Sequence, residues 1–350
     1  MANEAWTVKR ILEWTRGYLE RKGDEHPRLS AEWLISDVTG LSRVQVYMNF
    51  DKPLTPSELD AMHDAVVRRG RGEPLQYVTG EMPFRHIVLH CERGVLIPRP
   101  ETEVLVDAAL EGVDAATLTF PAILGEVPEP AQDKAADENA EGASPFGDVS
   151  AEKGEALVEE GAKPAAPAEP PVLVEPGCRV LEIGTGTGCI ALSIASERPG
   201  TRVVATDLSP QAVALATRNR DALGLEHAVT VVEGDLASAV DPELMGTFAV
   251  LVSNPPYIPS AVVPTLPQEV IGYEPGLALD GGEDGLDVFR RILELAPRAL
   301  LPGGMLCCEL FEDNVGTAAE LVRAQGGWAS AEVREDLTHR PRVLVAVREE

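Results

Sequence analysis

The stretch Leu181-Glu182-Ile183-Gly184-Thr185-Gly186-Thr187-Gly188 joins a short apolar run to a glycine-rich turn. The apolar run predicts a buried strand over residues 179–183, and the residues after the turn predict a helix over 188–197. Alternating glycines permit a tight turn and let the backbone approach a ligand closely. The stretch therefore predicts a ligand site at the end of a central strand.

Strands and helices alternate from this turn to the C-terminus. We predict strands at residues 202–206, 229–232, 248–252 and 305–310, and helices at 210–223, 286–300 and 315–324. Two further strands, at residues 329–333 and 343–347, are expected in the edge region of the sheet. The alternation predicts an α/β fold with a mostly parallel, doubly wound sheet.

Three classes of ligand compete for the glycine-rich turn. A phosphate-binding P-loop ends in Gly-Lys-Ser/Thr, whereas this turn ends Gly188-Cys189-Ile190. A dinucleotide fingerprint needs G-x-G-x-x-G, and these glycines alternate instead. A methyltransferase turn with Glu182 before the first glycine fits best. Asp207, at the end of the next strand, is placed to accept hydrogen bonds from ribose hydroxyls. Gly234-Asp235-Leu236 is expected beside an adenine, with an ordinary turn as the alternative.

A second motif, Ser253-Asn254-Pro255-Pro256-Tyr257-Ile258, follows the apolar strand at residues 248–252. Two adjacent prolines cannot extend a central ladder, because each lacks an N–H and has a fixed φ. The Asn254 side-chain oxygen and the Pro255 carbonyl can each accept one N–H, while Tyr257 packs against a flat group. A plain turn that ends the strand is the alternative. The complete motif favours a site that grips a planar NH₂.

The N-terminal part of the chain has a different pattern. Residues 1–72 are predicted to be helical, with a second helix from about Ser30 to Gly40 and another over residues 56–69. A β-rich piece at residues 84–91 and a helix at 101–111 follow. We predict a helical substrate-recognition domain at 1–80, a β-hairpin linker at 81–100 and a catalytic domain at 101–350.

Residues 113–175 are rich in Ala, Pro and Glu, and we predict that most of this segment is a disordered insertion without a catalytic role, with a functional acidic tether as the alternative. Residues 111–175 hold 15 acidic residues and 3 lysines, which gives 15 − 3 = 12 net negative charges out of the chain total of −27. The acidic remainder argues against a broad nucleic-acid-binding surface.

No apolar run has the length of a membrane span, and the five cysteines lack metal-like spacing. These features predict a cytoplasmic protein with no metal, membrane or direct nucleic-acid partner.

In combination, these motifs resemble the release factor glutamine methyltransferases of the HemK/PrmC type. The matching segments are residues 73–80, 96–103, 184–188, 207–210, 253–258, 273–275 and 278–286. The resemblance implies a class I S-adenosylmethionine-dependent methyltransferase, with a Rossmann-like, seven-stranded, mostly parallel sheet and a small N-terminal helical bundle. It implies methylation of the side-chain amide of the glutamine in the Gly-Gly-Gln motif of peptide chain release factors.

The resemblance also implies roles for individual residues. The implied catalytic residues are Asn254, Pro255, Pro256 and Tyr257, and the same four with Arg99 and Glu101 are expected to bind substrate. The residues expected to bind S-adenosylmethionine are Glu182, Gly184, Thr185, Gly186, Thr187, Gly188, Asp207, Asp235, Leu236 and Asn254. The chain departs from the family pattern at Phe311, Asn314, His339 and Pro341, which leaves the geometry of those loops open.

Three other functions compete with this interpretation. A DNA adenine methyltransferase would grip a flipped base with the same motif, but such an enzyme needs a basic groove and this chain is acidic. A sister enzyme that methylates a glutamine of a large-subunit ribosomal protein shares some of the same segments. A non-catalytic binding module would not need both an intact glycine-rich turn and an intact Asn-Pro-Pro-Tyr motif.

Overall fold

The computed structural model describes residues 5–119 and 178–350. Most of the predicted insertion lies outside these residues, so its disorder stays a prediction. The described residues fall within one compact unit.

Five helices form the N-terminal part, and their elements are α1 (Val8–Arg21), α2 (Pro27–Thr39), α3 (Arg43–Met48), α4 (Pro56–Arg69) and α5 (Leu75–Thr79). Leu19, Leu34 and Met62 lie in their shared core. Helix α2 begins three residues before the predicted Ser30, at Pro27. Proline fits the first helical position, because a backbone N–H there has no acceptor within the helix. The domain boundaries at residues 80 and 100 stay predictions.

A hairpin of β1 (Glu81–Phe84) and β2 (Ile87–His90) leads to α6 (Thr102–Thr119). The predicted end of this helix near residue 111 is wrong, because the helix extends to Thr119, so the first residues of the predicted insertion, 113–119, are helical. The additional turns are anchored on the core: Val113 is buried, and Asp114 forms an ion pair with Arg198 at 2.6 Å.

The predicted seven-stranded, mostly parallel sheet is confirmed, with the order β5-β4-β3-β6-β7-β9-β8. The strands are β3 (Arg179–Ile183), β4 (Arg202–Asp207), β5 (Val229–Glu233), β6 (Phe248–Ser253), β7 (Leu300–Glu309), β8 (Trp328–Glu335) and β9 (Pro341–Arg348). The connecting helices are α7 (Cys189–Glu197), α8 (Pro210–Ala222), α9 (Gln268–Ile271), α10 (Asp287–Ala299) and α11 (Val315–Gln325). Strands β3 to β7 run parallel, and β9 is antiparallel to both of its neighbours.

The predicted position of the last two strands in the edge region is confirmed, since β8 is the edge strand and β9 lies between it and β7. One strand prediction needs correction. Strand β7 begins at Leu300, five residues before the prediction. Pro302-Gly303-Gly304 has the composition of a turn, yet it forms an irregular start of the strand where the register against β6 shifts.

The order of the strands in the sheet indicates where a ligand binds. Strand β3 lies between β4 and β6, because the chain runs outward from β3 through β4 to β5 and then crosses back to place β6 on the other side of β3. Helices α6 and α7 pack on one face of the sheet, and α10 and α11 pack on the other. Ligands of such sheets bind in the crevice at the carboxyl ends of the strands next to this switch point.

Gly112 tests the packing of α6 on the sheet. A Cβ at Gly112 would lie 2.7 Å from Val250 Cγ2 and 3.1 Å from Met305 Sδ. Gly112→Ala is therefore expected to lower the free energy of unfolding by about 1–2 kcal/mol, since overpacking outweighs the gain in helix propensity. In urea unfolding, the control Gly316→Ala, whose Cβ meets nothing within 4 Å, should raise it by about 0.5 kcal/mol. A stabilised Gly112→Ala variant would contradict the close approach.

Candidate functional site

A cavity of about 240 Å³ opens at the carboxyl ends of β3, β4 and β6. The residues predicted to form the site that line it are Arg99, Gly184, Thr185, Gly186, Thr187, Asp207, Asp235, Leu236, Asn254 and Pro256. The predicted residues outside the lining are Glu101, Glu182, Gly188, Pro255 and Tyr257. The glycine-rich turn and the Asn-Pro-Pro-Tyr motif thus meet at one cavity.

The glycine-rich turn is fixed by backbone hydrogen bonds to β4. The amides of Gly184 and Thr185 both donate to the Thr206 carbonyl, at 2.8 and 2.9 Å. Gly184, Gly186 and Gly188 have φ of 75°, 56° and 86°, a region that costs other residues free energy. The alternating glycines are therefore required by the path of the backbone itself.

Asp207 holds this turn as well as facing the cavity. Its Oδ2 accepts from the Gly186 amide at 2.9 Å, and its Oδ1 accepts from the Ser209 amide at 2.9 Å. Burial raises the pKa of Asp207, and these backbone donors act in the opposite direction. The sequence suggested only a ligand contact, but the carboxylate also positions the neighbouring backbone.

Glu182 lies beneath the turn and is fully buried. Its Oε2 accepts from the Thr185 hydroxyl at 2.7 Å and from the Ala191 amide at 3.2 Å. Burial raises the pKa of Glu182 to about 8. Its predicted contact with a cofactor stays a prediction, whereas its observed contacts join the turn to α7.

The Asn-Pro-Pro-Tyr motif begins where β6 ends beside β3. Ser253 pairs with Ile183 in the parallel register, and its hydroxyl donates to the Ile183 carbonyl at 2.7 Å. Asn254 follows directly and is half-buried. Its Nδ2 donates to the Thr102 hydroxyl at 3.1 Å, which leaves Oδ1 as the free acceptor of the side chain.

Tyr257 is anchored away from the cavity. Its hydroxyl donates to Glu309 Oε1 at 3.2 Å, and burial raises the pKa of the phenol. Its backbone carbonyl accepts from Asn314 Nδ2 at 3.2 Å. Tyr257 therefore fixes the direction of the loop, and its predicted packing against a bound flat group stays a prediction.

The segment at residues 278–286 supports the same loop. The Ile258 amide donates to the Leu279 carbonyl at 3.0 Å, and the Gly281 amide donates to the Ile258 carbonyl at 2.9 Å. A Cβ at Gly281 would lie 2.7 Å from the Pro256 carbonyl oxygen and 2.8 Å from the Tyr257 Cα. Only glycine fits this close approach of two backbones.

Arg99 pairs with Glu274 at the rim of the cavity. Nη2 of Arg99 donates to both carboxylate oxygens, at 2.7 and 2.8 Å. Burial raises the pKa of Glu274, and the charge of Arg99 lowers it.

Asp235 is exposed and pairs with Arg291 at 2.7 Å, and Leu236 has a positive φ of 52°. Glu101 is half-buried at the start of α6.

Two residues in contact with the site were not singled out from the sequence. Thr102 holds Asn254, and Glu309 holds Tyr257. Thr102 belongs to the matching segment at residues 96–103, which was the one available signal for it. Glu309 sat in an apolar run that predicted only a buried strand.

The departures from the family pattern have separate structural settings. Asn314 is buried and supports the Tyr257 carbonyl, and Phe311 accepts backbone hydrogen bonds from the amides of Asn314 and Val315. His339 has a φ of 62°, a backbone conformation that glycine adopts more easily than other residues. Pro341 begins β9.

The described residues contain no cluster of three or more His, Cys, Asp or Glu side chains that could hold a metal ion. Among the helices of the same residues, none is both long and apolar enough to cross a membrane.

Comparison with known proteins gives two family matches and many relatives, several of which match over most of this chain. Residues 10–80 match the PrmC N-terminal domain, and residues 171–272 match the methyltransferase small domain. A release factor glutamine methyltransferase of Geobacter sulfurreducens is 39% identical, over 88% of this chain and 85% of the relative. Proteins of the same name from Chlorobaculum tepidum and Rhodopirellula baltica are 34% and 32% identical, over 95% and 97% of this chain and 94% and 95% of the relatives.

Glu182 predicts a dependence of stability on pH. Because its pKa rises from 4.5 to about 8 on folding, its contribution to stability is present below pH 4.5 and is lost as pH rises through about 8. Glu182→Gln lacks this ionisation. Relative to the wild type, the variant should gain free energy of unfolding between about pH 5 and about pH 8, by more than about 2 kcal/mol. Urea unfolding at both values measures this, and parallel pH profiles of the two proteins would contradict it.

Proposed function

The chain belongs to the family of release factor glutamine methyltransferases, and we propose that it methylates the side-chain amide nitrogen of the glutamine in the Gly-Gly-Gln motif of peptide chain release factors. The methyl donor is S-adenosylmethionine, and the fold is that of a class I methyltransferase. The observation that carries the proposal is the position of Asn254. It lines the same cavity as the glycine-rich turn and keeps a side-chain acceptor free.

The residues of the cavity fit S-adenosylmethionine. Gly184 and Gly186 line the cavity, and a side chain at either position would extend into open space beside the turn. Asp207 retains acceptor capacity for ribose hydroxyls, because a carboxylate has about four lone-pair sites and two backbone amides occupy two of them. Asp235 and Leu236 line the part of the cavity proposed for the adenine. When bound, the cofactor supplies an electrophilic methyl group on a sulfonium.

The substrate nitrogen needs accurate positioning, because the lone pair of an amide is delocalised into its carbonyl. In the proposal, Asn254 Oδ1 and the Pro255 carbonyl each accept one N–H of the glutamine NH₂, and Pro256 and Tyr257 shape the flat site around it. Holding two reactants in line can contribute on the order of 7–11 kcal/mol. Both acceptors bind the nitrogen more strongly as positive charge develops on it.

The proton of the methylated nitrogen is proposed to leave to water. No histidine lines the cavity in the described part of the chain. Two buried carboxylates lie outside the lining and have side-chain partners of their own: Glu274 pairs with Arg99, and Glu309 Oε1 accepts from Tyr257. Positioning and electrostatic stabilisation are therefore the main contributions of the protein.

Arg99 and Glu101 are proposed to bind the release factor near the glutamine. Arg99 lines the cavity, and about a third of its side chain stays exposed although it pairs with Glu274. Its guanidinium therefore has donors left for a substrate carbonyl. The net charge of −27 suits a protein substrate with a basic face better than a nucleic acid.

The direct experiment offers the purified enzyme three substrates together with labelled S-adenosylmethionine. These are a release factor, a large-subunit ribosomal fraction and duplex DNA with unmodified adenine. We expect label in the release factor alone, and peptide mapping should place one methyl group on the Gly-Gly-Gln glutamine. Gln→Ala in that motif of the release factor is the matched control. Label in the ribosomal fraction or in DNA instead would overturn the proposal.

Asn254→Ala tests the proposed grip on the amide. One lost acceptor should cost roughly 2.7–4 kcal/mol of transition-state stabilisation, by analogy with the loss of an oxyanion-hole donor, so turnover should fall about a hundredfold or more. Calorimetry should show nearly unchanged affinity for the cofactor. Turnover above about a tenth of the wild-type value would contradict the role of Asn254, since it corresponds to less than about 1.4 kcal/mol.

A further inference from the structure

We propose that Tyr77 is a positioning residue for S-adenosylmethionine, because its hydroxyl holds the segment at residues 94–99 in place as one wall of the cofactor cavity. Tyr77 belongs to α5, in the helical part of the chain that we predicted to recognise substrate. The inference rests on the proposed function only in its assignment of the cavity to the cofactor. It does not depend on which molecule accepts the methyl group.

Residues 94–99 form a continuous part of the cavity lining beside the glycine-rich turn. The side chain of Val95 packs with Ala212 and Leu215 of α8, and a Cβ at Gly186 would lie 4.0 Å from Val95 Cγ1. The segment belongs to no helix or strand, since β2 ends at residue 90 and α6 begins at residue 102. Its position therefore depends on contacts with neighbouring elements.

The contact at the middle of this segment comes from Tyr77. The Tyr77 hydroxyl donates to the Val95 carbonyl at 2.5 Å, and both residues are buried. Within residues 5–119 and 178–350, no other side chain forms a hydrogen bond with the backbone of residues 94–98. Burial raises the pKa of the phenol, so the hydroxyl keeps the proton that it donates. Without this donor, the Val95 carbonyl would be a buried acceptor with no partner, which is unfavourable.

The two ends of the segment are held by other elements. The Arg93 carbonyl accepts from Gln211 Nε2 of α8 at 2.6 Å, and Arg99 pairs with Glu274. These contacts fix where the segment starts and ends. The path between them, which faces the cofactor cavity, is left to the hydroxyl of Tyr77.

Tyr77 is itself fixed by α4. Arg68 Nη2 donates to the Tyr77 carbonyl at 2.7 Å, and Arg68 Nη1 donates to the Val78 carbonyl at 3.3 Å. The aromatic ring packs with Cys91 and Ile97. The hydrogen bond to Val95 therefore joins helices α4 and α5 to the wall of the cavity, so these helices contribute to cofactor binding.

Tyr77→Phe tests this role, because it keeps the packing of the ring and removes only the hydroxyl. Fewer molecules should then hold the segment in its binding position, and the apparent affinity falls by the same factor. We expect the calorimetric Kd for S-adenosylmethionine to rise about three- to tenfold, the range of one net hydrogen bond. In methylation of a release factor, KM for the cofactor should rise equally, with kcat within about twofold of the wild type.

Tyr273→Phe is the matched control. Tyr273 packs against the same cluster as Tyr77, but its hydroxyl donates to the Arg71 carbonyl at 3.5 Å and not to residues 94–99. The control should keep the Kd within about twofold of the wild-type value. A Tyr77→Phe variant with the wild-type Kd would overturn the proposal, and so would equal losses of affinity in the two variants.

A second readout needs neither cofactor nor substrate. The Val95 amide donates to the Glu92 carbonyl at 3.3 Å, so a peptide covering residues 92–97 reports on the segment in hydrogen exchange. This peptide should exchange faster in Tyr77→Phe than in the wild type and Tyr273→Phe, and unchanged exchange would overturn the proposal.

The outcomes separate this inference from the proposed function. A wild type that binds S-adenosylmethionine but does not methylate release factors would overturn the proposed substrate, while the Kd values and the exchange rates would still decide the role of Tyr77. A wild type that does not bind S-adenosylmethionine would overturn both.

Discussion

The parallel pairing of β3 with β6 is the constraint on which the site depends. It sets Ile183 opposite Ser253. The buried Ser253 hydroxyl adds a hydrogen bond between the two strand ends, because it donates to the Ile183 carbonyl at 2.7 Å. The glycine-rich turn leaves one strand and Asn254 leaves the other, so the two motifs meet although about seventy residues separate them in sequence. The pairing of β3 with β4 adds Asp207 from the other side. A shift of either register by one residue would turn these side chains to the opposite face of the sheet.

Three carboxylates lie at or next to the carboxyl ends of these strands, two of them buried and Asp207 half-buried, and each has a structural task. Glu182 joins the turn to α7, Asp207 fixes the Gly186 amide, and Glu309 receives the Tyr257 hydroxyl. Burial raises the pKa of all three, which means that the fold keeps acidic groups where their ionisation is unfavourable. The hydrogen bonds to these carboxylates fix the glycine-rich turn and Tyr257 in place. That rigidity suits a reaction whose barrier is lowered mainly by positioning.

Local patterns predicted most of the fold. The apolar run at residues 248–252 and the Pro-started helix at 56–69 were placed within one residue of β6 and α4, because their signals are contained in the segment itself. The end of α6 was missed, since Val113 and Asp114 are held by residues distant in sequence. For the same reason, the sequence predicted Asn254 and Tyr257 but neither of the residues that hold them, Thr102 and Glu309. The contact between Arg99 and Glu274 joins two motifs that sequence alone showed only as separate segments.

The central claim is that the Asn254 loop grips a glutamine amide beside the cofactor. The most direct measurement is a crystal structure of the enzyme with S-adenosylhomocysteine and a release factor, or a peptide carrying its Gly-Gly-Gln loop. The account predicts the glutamine amide nitrogen within about 2.7–3.2 Å of both Asn254 Oδ1 and the Pro255 carbonyl oxygen, with Asn254 Nδ2 still on Thr102. A glutamine amide bound outside the cavity, or one held by groups other than Asn254 and Pro255, would contradict it.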